Sequence, residues 1–123
     1  PGMNAKVVKY AQERGLPFGP GIMTPSDIEA ALELGCRTIK YFPAETSGGL
    51  KHLQNIVAPY QHLGLDFIPL GGLNATNMVD YLKSPLISAI GGSWIAKKDL
   101  INTENWDVIE ANAREARTIA DSI

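Results

Sequence analysis

The chain has one cysteine, Cys36, among 123 residues. No internal disulfide can form, and no histidine stands beside it at metal-ligand spacing. Charge of either sign in excess is also absent: eleven basic against thirteen acidic side chains leave a net charge of −2. That balance provides no electrostatic footprint for nucleic acid or for an anionic membrane surface, so neither is expected as a partner. Long hydrophobic runs are missing too. The longest apolar stretch, residues 86–96, is broken by Ser88, Gly91, Gly92 and Ser93 and falls short of the roughly 20 residues a membrane span needs. No secretory leader pattern is visible, and a reducing cytoplasm is the compartment expected. What remains is ordinary: 45% hydrophobic residues, enough for one domain with a buried core.

Helical and strand patterns alternate along the chain, the signature of a parallel sheet with crossover helices. Residues 4–14 read as a helix with Val7, Val8 and Ala11 on one face and Gly15 after its end. A short strand over 16–22 follows. The next helix has Thr24 as N-cap, Pro25 at its first position and Asp27 where a capping-box acid sits, and Gly35 closes it. Strand 38–42 leads to a third helix carrying Leu50, Leu53, Ile56 and Val57, stopped by Pro59. Strand 66–70 then precedes a helix capped by Asn74, with Met78, Tyr81 and Leu82. The run 86–90 reads as a buried strand, and a last helix carries Trp106, Ile109, Ala113, Ala116 and Ala120 on one stripe.

The strand ends repeat as Pro20-Gly21, Phe42-Pro43, Gly71-Gly72 and Gly91-Gly92, with the second members 22, 29 and 20 positions apart. Pro1-Gly2 repeats the same punctuation before a helix. The pattern predicts a (β/α)8 TIM barrel, of which residues 1–123 supply about the last four βα units, with an N-terminal half of the same barrel elsewhere. An open flavodoxin-type sheet is the alternative.

Lys40 stands inside a strand pattern, Thr38-Ile39-Lys40-Tyr41-Phe42. Free lysine, with a pKa of about 10.4, is neutral about once in two to three thousand molecules at pH 7, so a nucleophilic amine has to be desolvated or placed beside other cations. A lysine on an exposed strand edge would satisfy the same pattern. Gly71-Gly72 and Gly91-Gly92-Ser93 follow apolar strands, where glycine lets a phosphate approach backbone N–H groups or simply permits a tight turn. Glu45 reads as a proton shuttle at the mouth of the Lys40 site or, preferably, as an acid favoured at a helix start. His52 and His62 read as solvated, and Cys36 as a small core residue.

The run Lys40-Tyr41-Phe42-Pro43-Ala44-Glu45 followed by Ser47-Gly48-Gly49, with Pro20-Gly21, Pro69-Leu70-Gly71-Gly72 and Gly91-Gly92-Ser93-Trp94 in order, resembles the aldolases of 2-keto-3-deoxy-6-phosphogluconate and 4-hydroxy-2-oxoglutarate. The resemblance covers nearly the whole chain and about the C-terminal half of a family member. It implies a class I aldolase acting on a small keto acid, without metal or cofactor, as a homotrimer. Lys40 is then the Schiff-base lysine, Gly71, Gly72 and Ser93 hold the substrate phosphate, and Phe42 and Pro43 shape the adjoining wall. The family's acid/base glutamate, and its arginine and threonine for pyruvate, match no position here, so these residues alone are expected to be inactive. Family members commonly have threonine where Leu70 stands, which removes a hydroxyl from the pocket. A phosphosugar isomerase, epimerase or decarboxylase, with Lys40 as a point charge, and a non-catalytic phosphate-binding barrel are the competing expectations.

Overall fold

A computed structural model describes residues 1–123. In chain order it contains α1 (Ala5–Glu13), β1 (Gly21–Ile22), α2 (Pro25–Glu33), β2 (Thr38–Tyr41), α3 (Gly49–Val57), β3 (Asp66–Pro69), α4 (Met78–Leu82), α5 (Lys98–Asn102) and α6 (Trp106–Asp121). The three strands form one parallel sheet in the order β1-β2-β3, with Gly21 opposite Lys40 and Lys40 opposite Ile68.

This overturns the barrel expectation. The chain is an open three-stranded sheet with six α-helices, and not the last four units of a (β/α)8 barrel. The expected fourth strand, 86–90, is reduced to a single parallel bridge between Phe67 and Ile87. Phe67 N donates to Leu86 O at 2.8 Å and Ser88 N to Phe67 O at 3.1 Å, and the ladder goes little further. Ile87 has β3 on one side and no strand on the other, and a strand paired on one edge holds only half the ladder bonds of an interior one. At the other end, β1 is two residues long instead of the expected 16–22. Pro17 and Pro20 lack the N–H groups that a longer strand would use.

The helices follow their local chemistry more closely. Asn4 caps α1, its side chain accepting from Lys6 N at 3.1 Å and Val7 N at 3.3 Å. Thr24 and Asp27 form a reciprocal capping box at α2: Asp27 N donates to Thr24 Oγ1 at 3.2 Å and Thr24 N donates to Asp27 Oδ2 at 3.0 Å. Gly15 and Gly35 take φ of +64° and +74° just beyond α1 and α2, where a Cβ would be strained. The fourth helix is regular only from Met78, and Asn74 caps the turn that leads into it: its Oδ1 accepts from Thr76 N at 2.8 Å and from Asn77 N at 3.2 Å, and its carbonyl accepts from Met78 N at 3.1 Å. α5 had no sequence signal.

Alternation along β2 and β3 fixes the two faces of the sheet. Ile39, Tyr41 and Phe67 are fully buried with Ile22, Ile28, Leu53 and Val57 in one cluster. Lys40 and Ile68, being register partners, share the opposite face. All buried residues lie between Val8 and Ser84, and α6 contains none. No helix is long and apolar enough to cross a membrane.

Candidate functional site

β2 carries Lys40 on the face away from the buried cluster, partly covered by its surroundings. Its strand neighbours Ile39 and Tyr41 are locked in the core, so the Cα of Lys40 is held by packing on either side. The ammonium makes no ion pair, since both salt bridges of the chain lie within α6. Lys6, Lys9, Lys51, Lys83, Lys97 and Lys98 are all exposed, which leaves Lys40 as the one lysine that is not. Two positions away on the same strand, Thr38 Oγ1 donates to Asp66 Oδ2 at 3.0 Å, and Ser88 Oγ donates to Asp66 Oδ1 at 2.5 Å.

The turns after β2 and β3 are zipped together. Ala44 N donates to Leu70 O at 2.8 Å and Glu45 N to Gly71 O at 3.1 Å. Gly71 and Gly72 have φ of +94° and +85°, in the left-handed region, and both are packed tightly. A Cβ on Gly71 would lie 3.2 Å from the Phe42 ring and from Pro43, and one on Gly72 would lie 2.7 Å from Glu45 Cβ. Asn77 Nδ2 donates to Gly72 O at 3.1 Å and pins the turn from below.

A cavity of about 390 Å³ opens above these turns, lined by Phe42, Leu70, Gly71, Gly72, Leu73, Gly92, Ser93, Trp94 and Lys97. Of the residues singled out in the sequence, Phe42, Gly71, Gly72 and Ser93 are brought together there. Pro43 is not on the wall and instead backs Gly71, while Lys40 lies outside this cavity on the strand below Phe42. Leu70, the departure from the family pattern, is on the wall and packs against Gly91, where a Cβ would come within 2.8 Å of Leu70 Cδ2. The backbone N–H groups of Gly71, Gly72, Leu73, Gly92 and Ser93 donate to no acceptor within the chain. Unpaired donors on a glycine-rich rim are suited to an anion.

Glu45 starts a short 3-10 turn, and its carboxylate accepts a close hydrogen bond from the Tyr81 hydroxyl. Burial and this bond to Glu45 push the Tyr81 phenol well above the usual tyrosine range. Neither the turn-start role nor a free proton shuttle describes Glu45 fully, because Tyr81 ties it to α4. His52 is also more engaged than a solvated side chain. Its Nε2 lies 3.2 Å from Met23 O, and its ring stacks on Tyr41 with centroids 6.2 Å apart. His62 is exposed. Cys36 is buried, and desolvation raises its thiol pKa against the pull of Arg37, which suits an unreactive core residue. Sequence reasoning missed Tyr81 as the partner of Glu45, and it missed Leu73, Trp94 and Lys97 on the cavity wall. Only Trp94 carried a signal, through its place beside Gly91-Gly92-Ser93.

Parallel strands that run into glycine turns, with a lysine on the middle strand and unpaired N–H donors on the turns, mark an α/β protein whose strand ends form a candidate small-molecule site. The family described as KDPG and KHG aldolase matches residues 1–112, and the chain belongs to that family. It is 45% identical over 115 residues to a 2-dehydro-3-deoxy-phosphogluconate aldolase of Haemophilus influenzae, across 94% of this chain and 53% of the relative. The 4-hydroxy-2-oxoglutarate aldolase/2-deydro-3-deoxyphosphogluconate aldolase from TTHB1 superposes with a TM-score of 0.83 at 32% identity, over 98% of this chain and 56% of its own. A KDPG aldolase of Legionella pneumophila, solved with pyruvate captured at low pH as a covalent carbinolamine intermediate, gives 0.81 at 29% identity, over 98% and 55%. The chain thus spans about half the length of the relatives it matches.

Proposed function

We propose that residues 1–123 form the C-terminal half of a class I aldolase domain and contribute its Schiff-base amine, Lys40, together with its phosphate-binding turns. The observation that carries this reading is that Lys40 alone among the lysines is partly buried, on a strand whose neighbouring residues are immobilised in the core. Family membership and the carbinolamine in the Legionella relative support it.

In the proposed reaction the neutral Lys40 amine adds to the C2 ketone of the keto acid, giving a carbinolamine that loses water to form a protonated imine. A base takes the proton of the C4 hydroxyl, the C3–C4 bond breaks, and its electron pair moves to the imine nitrogen as an enamine while the aldehyde leaves. Protonation at C3 and hydrolysis of the imine release pyruvate and restore Lys40. Written this way, no step needs a metal. With 2-keto-3-deoxy-6-phosphogluconate the aldehyde is glyceraldehyde 3-phosphate, and with 4-hydroxy-2-oxoglutarate it is glyoxylate. Gly71, Gly72 and Ser93 take the distal phosphate through N–H and hydroxyl donors, Phe42 shapes the side of the pocket toward Lys40, and Pro43 supports it from behind by packing on Gly71. The proton-transfer groups come from the N-terminal half, the working assembly is a homotrimer, and the compartment is the cytoplasm.

Incubation with pyruvate and borohydride tests the covalent step without requiring turnover. Intact-mass measurement should show one reduced pyruvyl group on the wild-type chain and none on Lys40→Arg. Equal addition to both proteins would remove Lys40 from the mechanism.

A further inference from the structure

The glycine turns offer uncharged donors, yet one charged side chain also borders their cavity: Lys97, from the segment just before α5. Its ammonium is in no ion pair, although Asp99 shares with it the lining of a neighbouring cavity of about 660 Å³. No carboxylate lines the 390 Å³ cavity itself, so a bound anion there would meet Lys97 as the only formal charge on the wall.

We infer that Lys97 is a specificity-determining residue, selecting substrates that end in a phosphate monoester over shorter ones that place no dianion in this cavity. The inference rests on the reading of Gly71, Gly72 and Ser93 as an anion site. Amide and hydroxyl dipoles orient a phosphate, and a free ammonium on the same wall adds attraction that grows with the charge of the ligand. A dianion gains about twice what a monoanion gains. A substrate too short to fill the cavity gains nothing from Lys97, so the residue changes preference and leaves the amine chemistry at Lys40 untouched. Leu70 adds an apolar side chain to the same lining, which leaves recognition of an anion to the glycine amides, Ser93 and Lys97.

The test is an amide chemical-shift titration of the full chain with inorganic phosphate, with glycerol 3-phosphate and with uncharged glycerol, reading Gly71, Gly72, Gly92 and Ser93. Lys97→Met should weaken binding of both phosphates by about 3- to 20-fold at low salt, and Lys97→Arg should keep most of it. Lys98→Met, one residue along and off the wall, should bind like wild type, and glycerol should shift none of these amides. Tighter binding of glycerol 3-phosphate than of inorganic phosphate identifies a monoester site, and the reverse order would contradict the substrate class inferred. Equal losses in Lys97→Met and Lys98→Met would reduce the effect to general surface charge, and unchanged binding in Lys97→Met, or no response in wild type, would overturn it. Pyruvate trapping on the same samples without phosphate reports separately on the aldolase reading.

Discussion

Residues 1–84 and residues 85–123 are built differently. The first region contains every buried residue, all three strands and the cluster around Tyr41 and Phe67. The second has no buried residue and leaves Trp106 56% exposed; it is held to the first by the Phe67–Ile87 bridge, by partly buried Leu86, Ile87, Ile90 and Trp94 packed against the core cluster, and by α6 against α4. The candidate site crosses this divide. Lys40 and the turn at Gly71-Gly72 stand on the packed region, while Gly92, Ser93, Trp94 and Lys97 come from the loose one. In the proposed function the amine thus stands where side chains are immobilised, and one wall of the 390 Å³ cavity comes from the region without buried residues.

The largest effect that could break this contrast is on stability. Phe67→Ala should destabilise the fold by about 3–5 kcal/mol in urea denaturation, whereas Trp106→Ala should cost under about 1 kcal/mol. Comparable losses would mean that α6 is part of the core. A smaller expected effect sits at the boundary. Gly92→Ala would set a Cβ 2.4 Å from the Trp94 ring, so Trp94 has to move and the cavity wall with it. Phosphate affinity should fall several-fold while the urea midpoint changes little, as the two titrations on one sample would show.

The smallest effect concerns pH, and it sharpens the link between the turns. The Tyr81 phenol pKa is raised in the folded chain, so folding favours its neutral form. Its contribution is complete below the unfolded tyrosine pKa of about 10 and is lost as pH rises beyond that value. Thermal stability should therefore fall more steeply above about pH 10 in wild type than in Tyr81→Phe. Parallel curves would show that the Tyr81 bond to Glu45 does not couple α4 to the turn after β2.

Local chemistry was legible and closure was not. The Thr24-Pro25-Asp27 start of α2, the glycines after α1 and α2, and the strand around Lys40 all follow from neighbours within a few positions. The barrel was misread because an apolar run such as 86–90 looks the same whether it has a strand on both sides or on one. The site was half legible for a similar reason. Gly71, Gly72, Ser93 and Phe42 announce themselves by strand-end punctuation, but the Tyr81 bond to Glu45 joins residues 36 positions apart, and Lys97 reaches the cavity from a segment with no motif of its own.

The most direct test of the central claim is the position of the trapped pyruvyl group among the seven lysines. After borohydride reduction and digestion, the label is expected on the peptide containing Lys40, with the exposed lysines unmodified. Label spread over the exposed lysines, or absent from Lys40, would contradict it.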